Sequence, residues 1–303
     1  MREYRYFICD VFSDVRFDGN PLAVVPEAGG LSGGEMQRIA REFNFSESTF
    51  VLPGDARHDR TVRIFTPTTE VPFAGHPNIG TAFALACDGA FGEIEDSETV
   101  SFDEKAGTVN VQIRRGDSGA IWCELEAPQT PSIGKTLDPS MAAAVLSLHP
   151  DDVVTSTHPP QEASVGLPFL IVELASRDAL ERARINPARL DELHKDGMVA
   201  DVHLYVRSND EFDIRARMFA PLDGVPEDPA TGSANCALVA LLTTADATAT
   251  AGGSWRIAQG VEMGRPSVLE ARTVVEGDRI RTFIGGHTVL VAQGGIMLDP
   301  QTS

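Results

Sequence analysis

The chain has 303 residues, 42% of them hydrophobic, enough apolar material for one large domain or two of ordinary size. Its 25 Lys+Arg against 44 Asp+Glu give a formal charge of −19, a balance that repels phosphate backbones and anionic lipid and argues against nucleic-acid and membrane partners. No apolar run reaches the ~18 residues of a spanning helix, and no signal-peptide core stands at the N-terminus. Four scattered cysteines (Cys9, Cys87, Cys123, Cys236) form no CxxC pair, which fits a reduced cytoplasm better than a disulfide framework or a zinc ribbon. Only Lys105, Lys135 and Lys195 could serve a Schiff-base enzyme, and all three stand in charged or turn-like contexts. In chain order, alternation predicts a strand over Tyr4–Val11, a turn at Asp18-Gly19-Asn20-Pro21 and an apolar run over Leu22–Val25. Leu31, Met36, Ile39, Ala40 and Phe43 have helical spacing. Strands are expected over Ser48–Leu52 and Thr61–Phe65, then a Pro/Gly-rich loop that opens into an apolar helix from Gly80 to Cys87. Val100–Arg114 and Ala120–Leu125 read as a hairpin, and Ala127–Pro131 as a linker.

The second half offers helices near Ser140–Leu148 and Pro187–His194. Strands are expected at Phe169–Leu174, His203–Arg207 and Phe212–Phe219, then a loop over Ala220–Pro229. An apolar helix follows from about Gly232 to Leu242, and short strands finish the chain. The expected class is α+β, with domains over residues 1–127 and 128–303 and the extreme C-terminus free to pack back on the first.

An internal repeat carries the functional argument. His76-Pro-Asn-Ile-Gly-Thr-Ala is matched 152 residues later by Asp228-Pro-Ala-Thr-Gly-Ser-Ala, and Arg63-Ile-Phe-Thr-Pro is matched 154 residues later by Arg217-Met-Phe-Ala-Pro. Two ordered matches at nearly one offset predict two similar domains, each with strands wrapped around a central helix. A helix entered through Pro and small residues presents unpaired N–H groups and the positive end of its dipole. Helix starts at Gly80 and Gly232, meeting in a cleft between the domains, would therefore hold a small carboxylate. In this alignment His76 takes the place of Asp228, an imidazole and a carboxylate suited to proton transfer. Read alone, Asp228 could equally cap its helix, and Thr81 and Ser233 could be local caps or hydroxyl donors to substrate.

These residues carry a resemblance. Phe17-Asp-Gly-Asn-Pro-Leu-Ala-Val-Val25, Ser46-Glu-Ser-Thr-Phe-Val51 and Phe65-Thr-Pro through Gly75-His-Pro77 stand in order along the chain. Glu227-Asp-Pro-Ala-Thr-Gly-Ser-Ala234 and Gln259-Gly260 with Arg265 follow. Together they make the chain resemble the phenazine-biosynthesis isomerase (PhzF-like) family, of the diaminopimelate-epimerase-like fold. The resemblance implies two pseudo-twofold-related domains, each a mixed sheet rolled around a helix, and a homodimer. It also implies isomerisation with neither cofactor nor metal, moving a proton in a small cyclic or unsaturated carboxylic acid. Glu47 would be the general acid/base, with His76, Asp228 and Ser233 binding and polarising the substrate. Gly75, Gly80, Thr81 and Gly232 complete the expected substrate contacts. Burial of Glu47 among Phe43, Phe45 and Phe50 would raise its pKa. Read without the resemblance, a lone Glu47 between serines is ordinary solvated surface.

Related epimerases use a thiol on each side of the substrate carbon. Neither Gly loop here holds a Cys, and Cys87 and Cys236 read as small buried hydrophobes within the apolar helices. Gly134-Lys-Thr136 fails as a phosphate loop because position 129 is Gln. His203 reads as structural. Two alternatives remain open: a racemase or epimerase of a small amino or hydroxy acid, and a carboxylate-binding protein without turnover.

Overall fold

The computed structural model describes residues 1–116, 119–246 and 248–299. The chain divides into two compact units, one of residues Met1–Glu126 with the described residues from Gly285 on, the other of Ala127–Ile284.

The first unit contains β1 (Arg2–Val11), β2 (Asn20–Val25), α1 (Gly33–Phe43), β3 (Glu47–Pro53), β4 (Arg60–Phe65), β5 (Glu70–Val71), α2 (Gly75–Cys87), β6 (Ser97–Glu104), β7 (Gly107–Arg115) and β8 (Ile121–Glu126). The second contains β9 (Ser132–Thr136), α3 (Pro139–Val145), β10 (Gln161–Ser164), β11 (Pro168–Glu173), α4 (Arg177–Arg182), α5 (Pro187–Lys195), β12 (Val202–Arg207), β13 (Ile214–Ala220), β14 (Val225–Asp228), α6 (Gly232–Ala245), β15 (Ser254–Gln259) and β16 (Ser267–Glu276). The chain leaves the second unit and re-enters the first within one strand, β17 (Arg279–Leu298).

The two units repeat one plan. β1–β2 is antiparallel, β2–β3 parallel, β3–β4 and β4–β5 antiparallel, β4–β6 parallel and β6–β7 antiparallel. The same senses recur in β10–β11, β11–β12, β12–β13, β13–β14, β13–β15 and β15–β16. In the first unit β17 pairs with both β1 and β8 and closes the sheet into a barrel. α2 and α6 are apolar all round and buried over nearly their whole length, as central helices must be. The parallel strand pairs require crossovers. α1 lies in the one from β2 to β3, capped by Ser32 and Glu35 in a reciprocal box and ended at Asn44 in left-handed conformation; α4 and α5 lie in the one from β11 to β12, and α2 and α6 in those from β4 to β6 and from β13 to β15.

Several expectations are corrected. Val100–Arg114 is two strands, because the chain turns at Lys105-Ala106 and Gly107 takes φ 112°. The expected loop over Ala220–Pro229 contains β14. The closing strands are long, β17 reaching 20 residues. β9 escapes sequence reading because all its residues are exposed and nothing alternates. Among the described residues no helix is long and apolar enough to cross a membrane.

Candidate active site

α2 begins at Gly75, five residues before its expected start. Pro77 is the third residue of the helix, where its missing N–H has no carbonyl to reach, so proline costs nothing. His76 consequently sits in the first turn, and Gly80 and Thr81 lie deeper. A Cβ on Gly80 would stand 2.5 Å from Leu22 Cδ2 and 2.7 Å from Val11 Cγ2. The residue is glycine because helix and barrel wall approach so closely. Thr81 is fully buried, and its hydroxyl meets Thr49 Oγ1 at 2.8 Å. Both expected substrate contacts are therefore corrected: Gly80 and Thr81 dock α2 against its sheet.

His76 is 4% exposed, and burial pushes its pKa down to about 3, leaving a neutral imidazole at neutral pH. Asn20 Nδ2 lies 3.4 Å from Nδ1. An Nδ1 that accepts this amide proton leaves the ring proton on Nε2, and Nε2 points at Glu47 Oε2, 3.6 Å away. Asn20 is held in place by the tight turn before it, where Gly19 takes φ 69° and a Cβ would stand 2.5 Å from the Val11 carbonyl oxygen. The sequence showed the turn but not this role for Asn20.

Glu47 opens β3, its side chain 20% exposed. Residues 47 and 49 share the strand face toward α2, and Phe50 points the other way. Phe50 packs edge-on to Phe65 in the core under α1, and Phe43 stacks on Phe45. The expected enclosure of Glu47 by Phe50 is thus corrected by strand parity.

In the second unit Gly232 and Ser233 are the first two residues of α6, and Ser233 is half-buried. Asp228 is buried and accepts a 2.6 Å hydrogen bond from Thr231 Oγ1. It stands four residues before the helix, whose cap position belongs to Thr231. Gln259 clamps this turn. Its Oε1 accepts from Thr231 N at 3.2 Å and Asn235 Nδ2 at 2.8 Å, and its Nε2 donates to the Asp228 carbonyl at 2.9 Å and Thr231 Oγ1 at 3.0 Å.

Each central helix has an Asn in its first turn that donates 3.0 Å back to the carbonyl four residues earlier, Asn78 to Ala74 and Asn235 to Thr231. These bonds equate Gly75 with Gly232 and His76 with Ser233. The sequence pairing of His76 with Asp228 is corrected. Strand register equates the neighbouring elements: Ser48 pairs with Phe65 as Val202 pairs with Phe219. Glu47 therefore matches Asp201, which lies outside the two matched repeat segments. Val202, Leu204 and Val206 face the core under α3, α4 and α5, so Asp201 and His203 face α6, where His203 Nε2 meets Asn235 Oδ1 at 3.2 Å. Burial, with the charge of Asp223, pushes Asp201 up to about 7. Burial alone dominates at His203, which falls to about 4.

Capping distinguishes these helices. α1, α3, α4 and α5 begin under a side-chain cap from Ser32, Asp138, Ser176 and Asn186, whereas α2 and α6 have none. Their first-turn N–H groups keep the capacity to bind an anion. Neither turn contains a cysteine. Cys236 is buried, but Cys87, at the last position of α2, is exposed, which corrects its reading as a core residue. Among the described residues no group of three or more His, Cys, Asp or Glu could hold a metal ion.

This arrangement coincides with a known family: residues 9–294 match the model of the phenazine biosynthesis-like proteins. The chain belongs to that PhzF-like family. It is 37% identical over 306 residues to an uncharacterized isomerase of Mesorhizobium japonicum, covering 98% of this chain and all of that one. It is 35% identical over 292 residues to the trans-2,3-dihydro-3-hydroxyanthranilate isomerase of Pseudomonas aeruginosa, covering 96% of this chain and 98% of that enzyme. The PhzF-family phenazine biosynthesis protein of Bacillus anthracis superposes with a TM-score of 0.88 at 26% identity, over 98% of this chain and 100% of that one. Fold and family are those of the diaminopimelate-epimerase-like, PhzF-type isomerases, whose chemistry is isomerisation of small carboxylic acids.

Proposed function

We propose that the chain is a cofactor-independent isomerase that moves a proton within a small cyclic or unsaturated carboxylic acid. Trans-2,3-dihydro-3-hydroxyanthranilate, the substrate in the name of the P. aeruginosa relative, is the first compound to try. The observation that carries this reading is the Glu47–His76 pair: a carboxylate with its oxygen 3.6 Å from the Nε2 of a buried imidazole. Glu47 takes the proton from one substrate carbon and returns it to another. His76, neutral and held by Asn20, donates from Nε2 without competing for that proton. The first-turn N–H groups at Gly75 and Gly232 and the Ser233 hydroxyl bind the substrate anion and its developing charge. Asp228, fixed by Thr231, polarises the substrate. Homodimerisation and a cytoplasmic location belong to the same proposal, and a solution mass tests the first.

One observation favours a second reading. Asp201 occupies in the second repeat the place of Glu47 in the first, so the second unit has an acid of its own to offer in the epimerisation of an amino or hydroxy acid.

Proton NMR in D2O with a panel of small carboxylic acids, run beside Glu47→Gln, separates the readings. Deuterium entering a C–H with a shifted double bond supports the isomerase. Exchange at one stereocentre with inversion supports the epimerase. Either activity should fall by about 10²–10⁴-fold in Glu47→Gln. Full activity in that variant overturns the assignment of the base, and line-broadening without exchange or conversion favours a carboxylate-binding protein.

A further inference from the structure

Beside the first turn of α2 lies a carboxyl group that the proposed chemistry leaves unused. Glu104 ends β6, on the strand face it shares with the buried Val100 and Phe102. It is 8% exposed, and neither of its oxygens has a hydrogen-bond partner. Its neighbour from α2 is the side chain of Asn78. One N–H of the Asn78 amide goes to the Ala74 carbonyl, and its Oδ1 is also without a partner. Unpaired polar atoms in a buried site are costly, so three together call for an explanation.

Register supplies it. Thr61 pairs with Asp103 as Arg215 pairs with Ala258, and β4 matches β13 through Phe65 and Phe219. The next residues, Glu104 and Gln259, are therefore equivalent. Gln259 is the clamp of the α6 turn, and its partner Asn235 is the equivalent of Asn78.

We propose that Glu104 is a positioning residue for the Ala74–Asn78 turn that carries His76, acting there as Gln259 acts on the Thr231–Asn235 turn. A carboxylic acid has an O–H donor and a carbonyl acceptor, as an amide has N–H and C=O. The carbonyl oxygen of Glu104 takes the second N–H of Asn78, as Gln259 Oε1 takes one from Asn235, and its O–H donates to the Asn78 Oδ1, so both orphan groups gain a partner. Burial favours this protonated form and pushes the carboxyl up to about 8, against a downward pull from the Asn78 amide and with a small upward push from Asp103. The remaining charges nearby are engaged elsewhere: Lys105 and Arg63 both bind Glu70. β7 places Gly107 opposite Glu104, and the titratable residues of α2 are the neutral His76 in its first turn and Cys87 at its far end. Ionisation of Glu104 removes the donor and leaves a buried charge, so the turn loosens as pH rises.

The inference rests on His76 being a site residue, and its test does not depend on turnover. Nitrogen-15 spectra of the His76 ring, recorded between about pH 6 and pH 9 to bracket the raised carboxyl, should shift with a midpoint near 8 in the wild type. The shift should vanish in Glu104→Gln, which carries the second repeat's own solution. Thermal melts supply the second arm. A carboxyl whose folded pKa lies above its unfolded one loses protons from the unfolded state first, so stability falls as pH rises through that window. The melting temperature of Glu104→Gln should therefore climb relative to wild type from about pH 5 to about pH 8. Where a substrate turns over, Glu104→Leu should lose rate about tenfold and Glu104→Gln should restore it. A His76 signal that stays flat in the wild type, or moves equally in Glu104→Gln, overturns the proposal. Absence of turnover alongside a moving His76 signal would instead count against the isomerase reading and leave Glu104 in place.

Discussion

The two repeats share their strand pairings, their central apolar helices and the back-bonding Asn in each first turn, yet they differ at almost every position that carries chemistry. Where the first has Glu47, His76 and Glu104, the second has Asp201, Ser233 and Gln259. The first repeat presents an imidazole on a turn held by a carboxyl group. The second presents a hydroxyl on a turn held by a neutral amide, and adds Asp228 through a longer loop. Strand pairing depends on backbone hydrogen bonds and alternation, which tolerate such exchanges. The scaffold therefore kept its symmetry while the functional positions diverged.

Breaking the clamp in the second repeat should have the largest effect on stability. Gln259→Leu removes the acceptor of the Thr231 N–H and a donor to the Asp228 carbonyl. It should cost on the order of 3 kcal/mol, at about 1–3 kcal/mol for each buried group losing its partner, measured by urea unfolding. A smaller effect sharpens the comparison at equivalent helix positions, Gly80 and Ala237. Gly80→Ala drives a Cβ into Leu22 and Val11 and should destabilise by about 1–3 kcal/mol. The reverse exchange, Ala237→Gly, creates no clash and should cost about 1 kcal/mol through helix propensity. Equal losses in the two melts would contradict the correspondence.

The acid groups of the two repeats offer a finer test. The folded-state pKa of Asp201 stands near 7, above its ordinary value, so the wild type should lose stability as pH rises from about 4 to about 7. Asp201→Asn should remove that loss, which appears as a melting-temperature advantage over wild type at pH 8 that shrinks toward pH 4. Ser233→Ala should have the least effect on the fold, within about 0.5 kcal/mol for a site without a buried hydrogen-bond network. Its consequence belongs to KM in the D2O exchange assay.

Much of the candidate site was legible from residue order. Glu47, His76 and Asp228 were picked out by motif and resemblance, and the structure brings Glu47 and His76 within 3.6 Å. Asn20 was visible as a turn residue within a family segment but without a site role, since its contact with His76 spans 56 positions. Asp201, Glu104 and Gln259 were not singled out as a set with site roles, because the first two lie in unremarkable strand ends. Each acquires its place by counting along paired strands.

Sequence alone determined the α+β class, the duplication, the two buried helices and the family, because alternation, all-round apolarity and short motifs are local properties. Tertiary structure decided which residues of the repeats correspond. The loop from Phe219 to Gly232 spans 13 positions, against 10 from Phe65 to Gly75, so matching Pro with Pro aligned a helical turn with an extended one. Pro77 lies inside its helix and Pro229 before the other. That distinction rests on backbone conformation and hydrogen bonding, which only the folded chain settles.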